Sequence, residues 1–441
     1  MTPKPVVLKF GGESLSEPEL VIARIRELRR RGTPTVVIVS ARAGVTNRLR
    51  SVYDPRRPKS RSSFVVAELR RLNPELPASA VPLLGRAGKL VARANRSRQV
   101  PPSLKDELLS IGERLSAHWF AHRLSAAGIR AVAVEADLLG LRTDEAYGAA
   151  RIQLEQSQGP VRKGLGRHLK RGTVPVVTGF IGRSPAGLVA TLGRGGSDYS
   201  ASAIGALLNA ARVELVKRNV AIATGDPSVL PAARPVSHLS YEEAEEIAQF
   251  GAQVLHPVTI EPARDRRVPI YVRSLNHRPL LTVIGPAGPE GGARAVTLLA
   301  PLRLVSLRVA GGRQKPGLIA EITRRLAEAH INLASVVTTE AVLGLLVEPA
   351  DARRTRAALT DVAREHGAVV GRPVAVALVS AVGEGILEEI ARIPPRYLPR
   401  AEGLLATARS ISFLIHEEAA VPALRELHRT FVEQRPARPR S

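Results

Sequence analysis

The 441-residue sequence predicts an α/β fold, a mainly parallel sheet sandwiched by helices, followed by two small α+β units. Three observations carry this. Through residue 285, short apolar runs alternate with helical patterns, as strands joined by crossover helices do. The stretch GPAGPEGGARA, rich in glycine and proline, then interrupts the alternation and reads as a linker. Beyond it, two consecutive segments each carry a strand region, a helix and two further strands. The domains expected are therefore 1–285, 296–365 and 366–441.

In chain order, PVVLKF is the first strand, the segment from Glu17 to Arg31 a helix, and TPTVVIVS the second strand. A helix from Leu104 to Ala127 follows, then the strand IRAVAVEA and a helical stretch ending near Lys170. TVPVVTGFIG is the next strand, Ser197 begins a helix of small residues, and ARVELV is a further strand. After the linker, VTLLAPLRLVSLRVAGG is a strand region, and KPGLIAEITRRLAEAHINLASVVTTEAVLGLLVEP gives a glycine-started helix and two strands. The last unit, from AVVGRPVAVALVSAVGEGI through GLLATARSISFLIHEEAAVPALRELHRTF, repeats that order and adds a closing helix.

Composition narrows the function. With 44% hydrophobic residues the chain buries a substantial core. It has no uncharged apolar run of membrane-spanning length and opens without an export signal, so a cytoplasmic location and no membrane partner are expected. Zero cysteines exclude disulfides, thiolate metal sites and cysteine nucleophiles. The net charge of +24 suggests polyanion binding, but the arginines are scattered through RIRELRRRG, DPRRPKSRSS and ARANRSRQV, and only 3% of residues are aromatic. That distribution argues against nucleic acid and fits the steering of small anionic substrates.

In sheets of this kind, ligands gather where strands end and helices begin. In VVLKFGGES, Lys9 stands at a strand end before Gly11 and Gly12; paired glycines admit a phosphate close to backbone N–H groups, and the lysine neutralises charge. TLGRGGSDYSA places Gly193, Gly195 and Gly196 before a helix starting at Ser197, a cradle for an anion. Arg194 offers a fork for a carboxylate, and Asp198 either caps the helix or orients a reacting group or metal. Glu113, in LLSIGERLSAHWF, either receives a substrate ammonium or pairs with an arginine at a solvated helix surface. Ser40 ends the second strand, with Gly44 and Thr46 on the loop beyond. His256, before Pro257, reads as a packed turn residue, and Trp119 as core.

These residues resemble the aspartate kinases of the amino-acid kinase superfamily. KFGGES is similar to that family's KFGGTS, SARAGVTNRL to SAxxGxTxxL, SIGERLSA to GERLSA, and TLGRGGSDYSA to its most specific motif; LSYEEAEEIAQFGAQVLHPVTIEPA continues the likeness. The resemblance implies an amino-acid kinase fold with two ACT-type domains. It also implies phosphoryl transfer from ATP, with Mg2+ brought by the nucleotide, to the side-chain carboxylate of L-aspartate. By likeness, Lys9 and Asp198 are catalytic, and Ser40, Thr46, Glu113, Arg194, Gly195 and Ser197 bind the substrate. Lys9, Gly11, Gly12, Lys217, Arg218 and Gln253 bind the nucleotide. The ACT-type units imply an amino-acid effector and a homodimer.

The departures cluster on the nucleotide side. Where the family pattern reads TDVxGxYTxDPR this chain has KRNVAIATGDPS, so Lys217 and Arg218 replace the Thr-Asp pair, Ala223 the aromatic and Ser228 the arginine. Gln253 replaces the lysine of GAKVLHP. Exchanging an acid for arginine changes local charge by two units, which reshapes the donor pocket. The alternative is thus a paralogue with another donor or amino acid, or a non-catalytic amino-acid-binding regulator. In INLASVVTTE, Ala334 stands where lysine-sensitive relatives carry an acid, which argues against lysine as effector.

Overall fold

The computed structural model describes residues 3–217, 221–251, 255–275, 281–286, 291–309, 316–339, 341–393 and 401–434. The chain forms two compact units: Met1–Ile222, Pro235–Ala244 and Val254–Gly288 make the first, and Ala223–Arg234, Glu245–Gln253 and Pro289–Ser441 the second. Among the described residues no helix is long and apolar enough to cross a membrane.

The first unit begins β1 (Val6–Phe10), α1 (Pro18–Arg30), β2 (Thr35–Val39), α2 (Val45–Arg50), α3 (Ser62–Leu72), α4 (Val81–Arg96) and α5 (Pro102–Ala126). It continues through β3 (Ala131–Val134), α6 (Ala136–Leu139), α7 (Leu154–Lys170), β4 (Val174–Thr178), β5 (Ile181–Arg183), β6 (Val189–Thr191), α8 (Gly196–Leu207) and β7 (Arg212–Lys217). Then come β8 (His238–Ser240), α9 (Tyr241–Gln249), within which the division between the units falls, α10 (Glu261–Asp265), β9 (Ile270–Ser274) and β10 (Leu281–Gly285). Eight strands form one sheet in the order β3-β4-β2-β1-β7-β9-β10-β8, and every neighbouring pair except β9–β10 is parallel. VVLKF, TVVIV and VPVVT are buried along their whole length, as strands covered on both faces must be. Val6, Leu8 and Phe10 pack on Val21, Ile22, Ile25 and Leu28, one stripe of α1, and on Phe120 and Leu124 of α5. Trp119 belongs to the same core and carries the Arg42 guanidinium 4.1 Å above its ring.

Register sets up the site. Phe10 pairs with Val39 on one side and Val216 on the other, so β1 and β2 end level, β7 runs one residue further to Lys217, and the residues that follow share one sheet edge. A buried carboxylate ties this arrangement to a helix: Glu214 of β7, fully enclosed, meets Arg24 of α1 at 2.7 Å, Arg212 at 2.7 Å and Arg273 at 3.6 Å. Enclosing that charge is tolerable because several guanidinium groups surround it.

The second unit is one antiparallel seven-stranded sheet. It holds β11 (Ala295–Val309), α11 (Leu318–Glu328), β12 (Ser335–Thr338), β13 (Val342–Val347), α12 (Ala352–His366), β14 (Ala368–Val370), β15 (Val374–Val382), β16 (Ala401–Ala406), β17 (Ser410–His416) and α13 (Ala420–His428). The order is β12-β13-β11-β15-β17-β16, with β14 beside β11. β11 serves both halves: Ala295–Leu304 pairs with β15, and Arg303–Arg308 pairs with β13. Val305, Leu307 and Val309 enter a core with α11 and α12, while Val296 enters another with Phe413, Leu424 and Phe431. Leu230, from the earlier segment Ala223–Arg234, packs into that second core, and Thr224 meets His428 at 2.9 Å. Where the sequence suggests a helix after β15, Ile386–Arg392 is a 3₁₀ helix.

Candidate active site

The aligned strand ends bring distant segments together. Lys9 sits one residue before the end of β1 and is 7% exposed. Gly11 and Gly12 form the turn that follows; a Cβ on Gly12 would lie 2.4 Å from the Ala41 carbonyl oxygen, so only glycine allows the turns after β1 and β2 to touch. Ser40 follows β2, and α2 carries Thr46 and Arg50 one helical turn apart. α5 brings Glu113 against the Ala41 N–H, which donates to its Oε1 at 3.2 Å.

The glycine loop lies between β6 and α8 and is held from both sides. Asp106 of α5, buried, accepts from the Thr191 N–H (2.7 Å) and hydroxyl (2.8 Å) and from the Gly148 N–H (2.9 Å), fixing the strand end that leads into the loop. Gly195 takes φ +72°, and a Cβ there would meet His256 at 2.7 Å, so His256 is a packing residue beneath the loop. Phe180 also has positive φ, 68°, stabilised by its N–H donating to Ser200 Oγ at 2.9 Å. A strained aromatic beside a glycine cradle is a feature of functional sites.

Together these elements enclose a cavity of about 280 Å³. It is lined by Lys9, Ser40, Thr46, Glu113, Arg194, Gly195, Ser197 and Asp198, all named from the sequence, and by Arg50 and Phe180, which the sequence reading missed. Arg50 had a signal, its i, i+4 spacing from Thr46; Phe180 and Asp106 had none in the local pattern. Gly11 and Gly12 border the site through the β1 turn without lining the cavity. Lys217 lies outside the cavity lining but contacts Asp198; Arg218 and Gln253 fall outside the described residues.

The charges are arranged by role. Glu113 is 3% exposed, which removes the alternative of a solvated surface pair, and its Oε2 has no hydrogen-bond partner among the described residues. Burial pushes its carboxyl up to about 8, against the Ala41 N–H and the charges of Arg50 and Arg114. Neighbouring Arg114 is structural, buried and paired with Asp137 at 2.8 Å and with Glu135. Asp198 receives Lys9 Nζ on Oδ1 at 2.8 Å and Lys217 Nζ on Oδ2 at 2.6 Å. Burial alone raises an acid, but the two ammonium groups outweigh it and bring the Asp198 carboxyl down to about 2. Burial, with the Lys217 charge, lowers Lys9 despite its contact with Asp198. Arg194 is exposed at the mouth and makes no ion pair among the described residues, leaving its fork open. One end of the cavity thus suits an ammonium, the mouth a carboxylate, and the Lys9–Asp198 end an anionic group in transfer.

Residues 4–274 match the amino acid kinase family. The aspartokinase of Thermus thermophilus is 29% identical over 443 residues, spanning 97% of this chain and 98% of its own length. That of Corynebacterium glutamicum is 31% identical over 340 residues, covering 75% of this chain and 70% of its own. Among solved structures, Escherichia coli aspartokinase III in complex with aspartate and ADP superimposes with a TM-score of 0.80 at 26% identity, over 97% of this chain and 99% of that one. The strand ends, the glycine cradle and these full-length likenesses agree, and the chain belongs to the amino acid kinase family, among its aspartokinases.

Proposed function

We propose that the chain transfers the terminal phosphoryl group of ATP to the side-chain carboxylate of L-aspartate, giving 4-phospho-L-aspartate and ADP. The observation that carries this is one cavity pairing a buried acid, Glu113, whose Oε2 has no hydrogen-bond partner among the described residues, with the guanidinium of Arg194 and the Lys9–Asp198 pair. An amino acid with a second carboxylate fills that set: its ammonium goes to Glu113, its α-carboxylate to Arg194, and its side-chain carboxylate points at Lys9. Ser40, Thr46, Gly195 and Ser197 complete the acceptor wall. The carboxylate is already nucleophilic, so its attack on the terminal phosphorus needs alignment and spread of negative charge rather than a protein nucleophile. Lys9 neutralises the oxygens in transfer, Asp198 fixes its position, and the turn at Gly11 and Gly12 admits the donor phosphates. Asp198 is ion-paired with Lys9 at 2.8 Å and Lys217 at 2.6 Å, and in this reading Mg2+ travels as the donor's own counter-ion.

Trapping with hydroxylamine tests the reading. The protein, ATP and aspartate should yield aspartyl hydroxamate, glutamate should not substitute, and absence of hydroxamate would sink the assignment. For the second unit we propose amino-acid effector binding and homodimer formation through its ACT-type halves. Light scattering should then read twice the 47.2 kDa chain mass, and a monomer mass would refute the dimer.

A further inference from the structure

We infer that the first unit carries a second small-molecule site, apart from the acceptor cavity, that takes a hydroxyl-bearing phosphate ester of sugar-phosphate size.

A cavity of about 530 Å³ opens between α4, the first turns of α5, α6 and the β5–β6 hairpin, and it shares no lining residue with the acceptor cavity. The two lie against the same helix: Glu113 of α5 lines one, and the next residue, Arg114, lines the other. From α4 come Arg86, Arg93 and Arg96, whose spacing of seven and then three residues keeps them on one helical face. Arg86 and Arg93 share Glu107 of α5, at 3.0 and 3.7 Å, so part of their charge is already answered. Arg96, exposed, and Arg183, half-buried at the end of β5, make no ion pair among the described residues. The Arg183 guanidinium lies over the hairpin turn, where a Cβ on Gly187 would stand 3.5 Å from its Nη2. Pro101, Ser103 and Leu104 bring the amino end of α5 to the same cavity, and that end has neither a side-chain cap nor an acid in its first turn. The positive end of a long helix therefore adds to two free guanidinium groups.

The buried wall has the opposite chemistry. Arg114 pairs there with Glu135 and with Asp137, and Asp137, 5% exposed, keeps Oδ1 without a hydrogen-bond partner among the described residues. An unsatisfied buried carboxylate oxygen is costly, and a hydroxyl donated by a ligand removes that cost. A phosphate ester of a polyol supplies both halves of the match: an oxyanion for the forks of Arg96 and Arg183, and a hydroxyl for Asp137. A polycarboxylate without hydroxyls would bring acid to acid at Asp137. Size agrees, since the cavity has nearly twice the 280 Å³ that the acceptor reading gives to an amino acid.

Calorimetric titration of the full chain tests the site, with ribose 5-phosphate, glucose 6-phosphate and glycerol 3-phosphate as probes and inorganic phosphate as the comparison. At least one ester should bind one-to-one with Kd below about 1 mM, and at least about tenfold tighter than inorganic phosphate. The double variant Arg96→Gln, Arg183→Gln should weaken that ester about 100-fold, and Arg96→Glu alone, a change at an exposed position, at least about tenfold. Neither set touches the acceptor cavity, so hydroxamate formation without the ester should stay at the natural level. Binding of no ester below about 10 mM, inorganic phosphate as tight as the best ester, or an affinity that both variants leave unchanged would each overturn the inference. Displacement of the ester by aspartate or by ATP would put it in the catalytic site and overturn it as well. A natural protein that makes no hydroxamate defeats the phosphotransfer reading instead, and the ester titration still reports on this cavity.

Discussion

At the scale of single residues, burial gives Glu113 a proton that the substrate has to displace. Its folded value of about 8 lies above the ordinary 4.5, so between those limits the folded protein holds a proton that the unfolded chain has lost. The group's contribution to stability is therefore most favourable below about 4.5 and declines as pH rises toward 8. Aspartate's ammonium favours the ionised form, so binding should release close to one proton near pH 6.5 and tighten with rising pH until about 8. Calorimetry in two buffers of different ionisation enthalpy measures that release. Glu113→Gln should abolish it and weaken aspartate by about 10- to 100-fold; an unchanged proton count would remove Glu113 from the ammonium site. The residue-level features legible in the sequence were those next to strand ends, Lys9, Ser40 and the 193–198 loop, because a parallel sheet gathers such positions. The grip of Lys217 on Asp198 was not legible. It depends on β7 lying beside β1, a pairing between segments about two hundred residues apart.

At the scale of elements, the buried Glu214 cluster is what holds α1 to β7. Arg24→Met should destabilise the first unit by about 2 kcal/mol, since Arg212 and Arg273 still offset part of the enclosed charge. Adding Glu214→Leu should lower stability further, because Arg212 and Arg273 then lie together without the carboxylate that joins them. Denaturant unfolding of the two variants measures this, and a double variant as stable as Arg24→Met would contradict it. The strands were readable because those buried on both faces are continuous apolar runs. α3 and α4 were not read, although Leu83, Leu84, Ala87, Leu90, Val91 and Ala94 form a buried stripe on α4. Interleaved arginines, whose heads stay in water while their stems lie on the helix, made that region look like a charge run.

At the scale of the whole molecule, the order of apolar runs revealed the parallel sheet and the strand-rich C-terminal unit, since both arise from local periodicity. The enlistment of Ala223–Arg234 into the second unit was hidden, because a short segment can join a remote core without changing its own pattern. The charge of +24 is likewise a property of the whole chain: at the site it reduces to Lys9, Arg50, Arg194 and Lys217 around one low-lying acid.

β11 has a consequence for dissection. Because its first ten residues hydrogen-bond into one ladder and its last ones into another, no single scissile position liberates either half intact. A break at 365–366 leaves the downstream fragment without the β11 partners of Val374–Val382, which keeps only its β17 side, and the upstream fragment with an exposed row of amide and carbonyl groups. The two halves are inseparable by topology, like two pages printed on one sheet.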